Sequence, residues 1–333
     1  MANKLLRTVI VSIIFSALGL AFVVYKLGSI PNIGLLKAIK PVSLLLAILV
    51  LFGSFLSSSF RMQIFAKQIN QSINLWQALR IHILGMFSAA ITPSGSGNAP
   101  AIALMLNHHG ASHASAWAVA VATFANDTMF FSWSMPIALS ILHFSKIYQS
   151  SLATDILGIV AIVVTALASF LFSFKLVWLE PIVNFILKGP LKRFKSSALS
   201  FVSSLIIAHN FFKKAPLSWY LKIQALTAIG WISFFASLYF VATGFNSNIN
   251  FFVLEAYQSA ITTLSFIVPT PGASGFFELG IAPLLKTAGN DKVVAAIILV
   301  WRLISYYSIF ILGPIVGGNI LIQKLNAEGA TKT

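Results

Sequence analysis

The chain has 333 residues, of which 58% are hydrophobic and only 9% charged. A soluble domain carries about 25% charged residues, so this composition excludes that class and indicates a polytopic membrane protein. Lys and Arg outnumber Asp and Glu 22 to 7, but no nucleic-acid motif accompanies the excess, and the absence of Cys excludes disulfides, thiol catalysis and thiolate metal sites.

The N-terminus, MANKLLRTVIVSIIFSALGLAFVVY, joins a basic start to an apolar run that reaches Tyr25 without a small-residue cleavage site near its end. It reads as a retained first helix rather than a signal peptide. Spanning helices are expected at 8–25, 41–60, 114–142, 154–179, 219–242 and 292–322, since a bilayer needs runs of about 20 apolar residues. Two further apolar stretches, 78–107 and 251–288, are interrupted by ITPSGSGNAP and IVPTPGASGF. Their arms are too short to cross about 30 Å of hydrocarbon, so they read as re-entrant hairpins with tips in the membrane interior.

The two halves are related. NLWQALRIHILGMFSAAITPSG from Asn74 and NFFVLEAYQSAITTLSFIVPTPG from Asn250 stand at an offset of 176, which puts Pro93 on Pro269. The same offset carries 41–60 onto 217–236 and 114–142 onto 290–318. The expected fold class is therefore an all-α polytopic membrane protein with one transmembrane domain. It would contain two repeats, about 5–145 and about 150–323, each helix, helix, re-entrant hairpin, helix. Each unit crosses the membrane an odd number of times, so the second is expected inverted, an architecture of transporters. On this topology fourteen basic residues, Arg61 among them, face one side and six the other, which predicts cytoplasmic termini. Segment 188–215 carries KGPLKRFK and then apolar positions 198, 201, 202, 205, 208 and 212 on one helical face. It is expected to be an amphipathic helix on an anionic membrane surface, with a plain linker helix as the alternative.

The chemistry is expected at the breaks. Irregular backbone at membrane depth survives only inside protein or beside a water-filled cavity. A helix restarting after such a break offers free N–H groups that attract anions, and glycine allows close approach. Pro93, Ser94, Gly95, Gly97 and Asn98 in the first break and Pro269, Pro271, Gly272 and Gly275 in the second are the candidate substrate-binding residues. A packing kink without a ligand is the alternative. Three ionisable residues fall at membrane depth, Asp127, Glu278 and Arg302. Each costs about 2.5–3.5 kcal/mol at a helix centre, so such groups are paired and mark functional sites. The offset puts Asp127 on position 303, beside Arg302. Either carboxylate is a candidate partner for Arg302, in transport or as a structural bridge.

His108, His109 and His113 form HHGASH, a weak metal candidate without a nearby carboxylate. Asn126-Asp127-Thr128 matches a glycosylation sequon but lies within a helix. Gly313 and Gly317 flank Pro314 and predict close helix packing with a kink. No P-loop, dinucleotide fingerprint or nucleophile triad is present, and no cofactor or metal is expected.

PTPGASGFFELG resembles the Pro-x-Pro-Gly-Gly-x-Gly-x-x-Glu signature of the lysylphosphatidylglycerol synthase transmembrane-region family. That family includes the flippase domain of the multiple peptide resistance factor. GMFSAAITPSGSGNAPAIALML resembles its earlier motif and ILVWRLISYY its Arg-bearing last helix, so the likeness spans about residues 10–322. Pro269, Pro271, Gly272, Gly275, Glu278 and Arg302 match the pattern. Ala273 replaces its second Gly, and Ser96-Gly97-Asn98 stands where a Gly pair is common, departures that bear on substrate identity rather than fold. The sequence ends at Thr333 without the soluble aminoacyl-transferase domain of the fused members, so no enzyme activity is expected. The resemblance implies a multi-pass protein of the bacterial inner membrane that translocates a lipid with a polar or anionic headgroup. Anionic phospholipids and polyprenyl-phosphate-linked lipids are the expected partners. A secondary transporter of a small anionic solute and a membrane-embedded lipid-modifying transferase are the alternatives.

Overall fold

The computed structural model describes residues 33–145, 195–266 and 268–317, with isolated positions elsewhere. The expected helices at 8–25 and 154–179 and the basic run before Lys195 lie outside these described residues. Among the described residues all regular structure is helical. After a short helix α1 (Ile33–Lys37) come α2 (Pro41–Lys67), α3 (Leu75–Ala90), α4 (Asn98–His108) and α5 (His113–Phe144). Then follow α6 (Lys195–Lys213), α7 (Leu217–Gly244), α8 (Phe251–Ser265), α9 (Phe276–Lys286) and α10 (Asp291–Arg302). A π-helix, Leu303–Tyr307, continues α10, and the combined helix Asp291–Gly317 runs for 27 residues.

Helix starts follow capping chemistry. Asn74 accepts a hydrogen bond from the Gln77 N–H while the Gln77 side chain accepts from the Asn74 N–H, both at 2.8 Å. Asn250, Ser112 and Asn290 cap α8, α5 and α10 in the same way through the N–H three residues on. These caps reveal a finer correspondence between the halves. Pro41 and Leu217, like Asn74 and Asn250, lie 176 residues apart. Asn98 and Phe276, like Ser112 and Asn290, lie 178 apart. The second break is thus the longer one; a spacing of 178 sets Pro93 against Pro271, and one of 176 sets it against Pro269.

Among the described residues three helices are long and apolar enough to cross a membrane: Pro41–Lys67, Leu217–Gly244 and Asp291–Gly317. The expected span at 114–142 forms as the 32-residue α5, but Asn126 and Asp127 at its middle keep it out of that group. Along α2, Val42, Leu45, Leu49 and Phe52 are all exposed on one outward face, a surface that water would not tolerate and lipid tails would. The opposite side of α2 packs on α7. There Gly230 lies 3.6 Å from Ser58 Oγ and 3.8 Å from the Ser54 carbonyl, measured from where its Cβ would be. Ser57 Oγ donates to the Leu226 carbonyl at 2.6 Å. Small residues bring the two backbones together, as in other membrane helix pairs.

The face of α6 expected to lie on a membrane surface is largely occupied by protein. Val202, Ala208, Phe211 and Phe212 are buried, α6 packs on α5, and Phe201, which remains exposed, stacks edge-on to Trp117. The Gly313/Gly317 pair packs closely, as expected, and its partner is α3. A Cβ on Gly313 would stand 2.4 Å from Phe87 Cγ and one on Gly317 2.5 Å from Leu84 Cδ1. Arg80 Nη2 ties the same surfaces by donating to the Val316 carbonyl at 2.9 Å.

Gly313→Ala should therefore overpack this contact and cost about 1–3 kcal/mol, read as a lower melting midpoint of the detergent-purified protein. Adding Phe87→Ala should recover part of the loss; an unchanged midpoint for Gly313→Ala would mean that the two helices are free to separate.

Candidate functional site

The two breaks meet. Pro93 and Pro271 form an isolated antiparallel β-bridge, and Ser94 Oγ donates to the Val268 carbonyl at 3.0 Å. Ser94 and Gly95 in one break and Gly272 and Ala273 in the other all have positive φ, the left-handed conformation that a tight reversal requires. Ser94 and Ala273 adopt it although L side chains rarely do. A cavity of about 430 Å³ opens beside this junction. Of the predicted residues it brings together Ser94, Gly95, Asn98, Gly272, Asp127 and Arg302. Pro93, Gly97, Pro271, Gly275 and Glu278 stand behind them, and Pro269 is exposed away from the cavity wall.

The N–H groups expected to be bare are mostly engaged. Gly95, Ser96, Asn98, Ala273, Ser274 and Phe277 donate to carbonyls of their own breaks. Gly97 donates to Thr92 Oγ1 at 2.7 Å. Gly275, at the start of α9, donates to Glu278 Oε2 at 2.8 Å. The chain thus supplies its own carboxylate to the helix N-terminus where a foreign anion was expected.

The positive charge facing the cavity comes from Arg302 instead. Its Nε lies 2.7 Å from Glu278 Oε1, with side-chain exposures of 5% and 1%. The pair has ion-pair distance without hydrogen-bond alignment, and Arg302 Nη2 is buried with no hydrogen-bond partner. The rings of Phe277, Trp301 and Tyr306 surround the guanidinium at 5.5, 5.3 and 5.1 Å, a cation–π setting. Tyr306 also donates its hydroxyl to the Ala90 carbonyl at 3.1 Å. A Cβ on Gly272 would stand 2.2 Å from its ring. One side chain therefore contacts Arg302, the second break and the end of α3 that leads into the first.

Asp127 lines the same cavity but pairs with Arg61. Nη1 and Nη2 of Arg61 donate to its two carboxylate oxygens at 2.5 and 3.3 Å, and Trp231 Nε1 adds a third bond at 3.2 Å. Arg61 also donates to Thr227 Oγ1 at 3.0 Å. Thr227 in turn accepts from Asn126, whose amide oxygen accepts from Gln224 at 2.8 Å. Arg61 was counted with the cytoplasmic bases because the apolar run stops at Phe60; the helix continues to Lys67 and buries it. Tyr306 was likewise missed, though its place four residues after Arg302 puts both on one helix face. The HHGASH cluster gathers no metal set among the described residues. His109 there has its pKa lowered, first by burial and then by His108 and Arg80.

The profile of the lysylphosphatidylglycerol synthase TM region family matches residues 9–313. The chain belongs to this family. It is also similar to a UPF0104 membrane protein of Archaeoglobus fulgidus, 25% identical over 297 residues, which cover 84% of this chain and 87% of the relative. The family is one of membrane proteins, and the exposed apolar helix faces place this member among them.

Double-mutant cycles on melting midpoints should resolve two separate couples. Arg302→Ala leaves Glu278 buried and uncompensated and should cost about 3–5 kcal/mol. Glu278→Gln should reduce that cost, Arg61 and Asp127 should couple likewise, and Arg302 with Asp127 should be additive to within about 0.5 kcal/mol. Strong coupling between Arg302 and Asp127 would refute this pairing.

Proposed function

We propose that this protein translocates a lipid with a polar or anionic headgroup across the inner membrane, the headgroup passing through the cavity between the two breaks. The observation that carries this reading is Arg302, a buried cation with an unused Nη2 donor on the wall of a cavity of about 430 Å³. That volume falls within the range of small-molecule sites. Ser94 and Asn98 add side-chain polar groups, while Phe124, Phe234 and Phe266 make much of the remaining wall apolar. An anionic headgroup would take the free Arg302 donor while acyl chains remain among apolar side chains. The apolar wall favours a lipid over a free solute.

In this reading the breaks are the tips of two re-entrant hairpins entering from opposite faces, and the halves are inverted repeats with both termini cytoplasmic. The recurring element order and capping positions support it. Single cysteines at Gln149 and Ser196 should then label from opposite sides of intact cells; labelling of both from one side would refute the inverted arrangement.

Translocation is tested with purified protein in phosphatidylglycerol vesicles containing a headgroup-labelled phospholipid. Arg302→Gln should slow transfer at least about tenfold, the equivalent of ~1.4 kcal/mol. Ala99→Phe, which fills the cavity without touching a charge, should do the same. Gly272 is a poorer probe, because a side chain there meets Tyr306 first. If no labelled lipid moves faster than in protein-free vesicles while a small anion accumulates, the solute-transporter reading replaces this one.

A further inference from the structure

Among the described residues one acidic side chain, Glu255, takes part in no ion pair. Glu255 lies on α8, and both its carboxylate oxygens are buried without a hydrogen-bond partner. No ion pair joins it to any described residue. It begins a line. Ser259 and Thr262 follow at four and seven residues, which puts them on the same face of the helix, and their hydroxyls are also buried and unpartnered. Ser134 of α5, the helix that packs most extensively on α8, contributes another such hydroxyl. Phe266, one turn beyond Thr262, stacks on Phe131 of α5 at 5.5 Å. Thr262 and Phe266 both line the central cavity. A file of unused hydrogen-bonding capacity therefore runs from Glu255 to the place where the headgroup would sit.

Buried polar groups in native proteins are almost always satisfied by protein or by ordered water, and a polar site with several such groups is where water resides. Orphan hydroxyls aligned on one helix face and ending at an acid form a path for water and protons. The titratable groups on the packed elements offer Glu255 no competing partner. They are His113, Asp127 and His143 on α5, Tyr220, Lys222 and Tyr239 on α7, and Glu278 and Lys286 on α9; Tyr257 shares α8 itself. Asp127 is held by Arg61, Glu278 by Arg302 and Lys286 by Asp291. None lies within hydrogen-bond or ion-pair distance of the Glu255 oxygens.

We propose that Glu255 is an exchangeable proton-binding site linked to the central cavity through Ser259 and Thr262, and that translocation is coupled to proton movement through it. In the proton-transfer step the Glu255 O–H bond breaks, the proton passes to water in the file, and the carboxylate is left behind; reprotonation reverses this. The coupling half rests on the lipid-translocation reading, whereas the proton site does not.

Infrared spectra of the purified full chain test the site directly. The wild type should show a protonated-carboxyl band that shifts in D₂O, and Glu255→Gln should remove it. Thr262→Val should keep the band but slow its shift about tenfold, the mark of one interrupted transfer step. A band unchanged by Glu255→Gln overturns the proton site, and a band that does not exchange overturns the path. For coupling, an imposed gradient of one pH unit across phosphatidylglycerol vesicles should bias labelled lipid between leaflets about tenfold, if one proton moves per lipid. Glu255→Gln should abolish that bias. Wild-type transfer indifferent to the gradient overturns the coupling. No wild-type transfer at all, with the exchanging band present, defeats the lipid reading and leaves the proton site standing on the spectra.

Discussion

Irregular backbone inside a greasy molecule must find its hydrogen bonds within the protein, and this constraint organises the centre of the structure. The segments 91–97 and 268–275 leave the helical ladder, and each is stabilised partly by the other. Ser94 reaches the Val268 carbonyl, Pro93 and Pro271 form the bridge, and Tyr306 holds the Ala90 carbonyl from a third helix. Local contacts complete the satisfaction, with Thr92 serving Gly97 and Glu278 serving Gly275. Glu278 is therefore part of the backbone economy as well as the counter-charge of Arg302. Its second oxygen holds the restart of α9 while the first faces the guanidinium.

The interior is kept near neutrality pair by pair. Arg61 with Asp127 and Arg302 with Glu278 place two compensated couples at the same cavity, one on each half of the chain. They differ in how completely they are satisfied. Asp127 accepts three bonds, and Arg61 extends into the Thr227, Asn126 and Gln224 network. Arg302 has one misaligned ionic contact and three aromatic neighbours. A saturated pair is suited to holding helices in place. An unsaturated one keeps capacity for a further anion.

Much of the helical framework was legible in the sequence because apolar runs are local signals. The runs at 41–60 and 219–242 became helices 41–67 and 217–244, and Asn74 and Asn250 capped the arms they preceded. The break residues and Arg302 were legible through their cost, since Pro, Gly and charge in hydrocarbon need a reason. Partnership was not legible. Asp127 and Glu278 were equal candidates for Arg302 on sequence spacing, and the choice depends on α9 restarting so that its first turn faces α10. Arg61 was hidden because a charge just beyond an apolar run reads as a helix end in water. Helix starts recur at 176 residues before the breaks and at 178 after them, a change of spacing hidden in the sequence because no periodicity connects one helix to the next across a break. Glu255 was overlooked because one acid in a capped amphipathic arm carries no pattern; its isolation exists only in three dimensions.

The π-helix at Leu303–Tyr307 sits directly after Arg302. Such a turn behaves as one residue too many in an otherwise α-helical ladder. It sets the angular phase between the Arg302 end of the helix and the Gly313–Gly317 end that packs on α3. Removing one residue there would let the ladder close as an ordinary α-helix and rotate everything beyond it by about 100°. The small-residue face would then turn away from Phe87 and Leu84 while Arg302 stayed in place. The turn thus works as a phase adjuster: within a single helix it relates a charge-lined cavity near the middle to a tight steric seam at the C-terminal end.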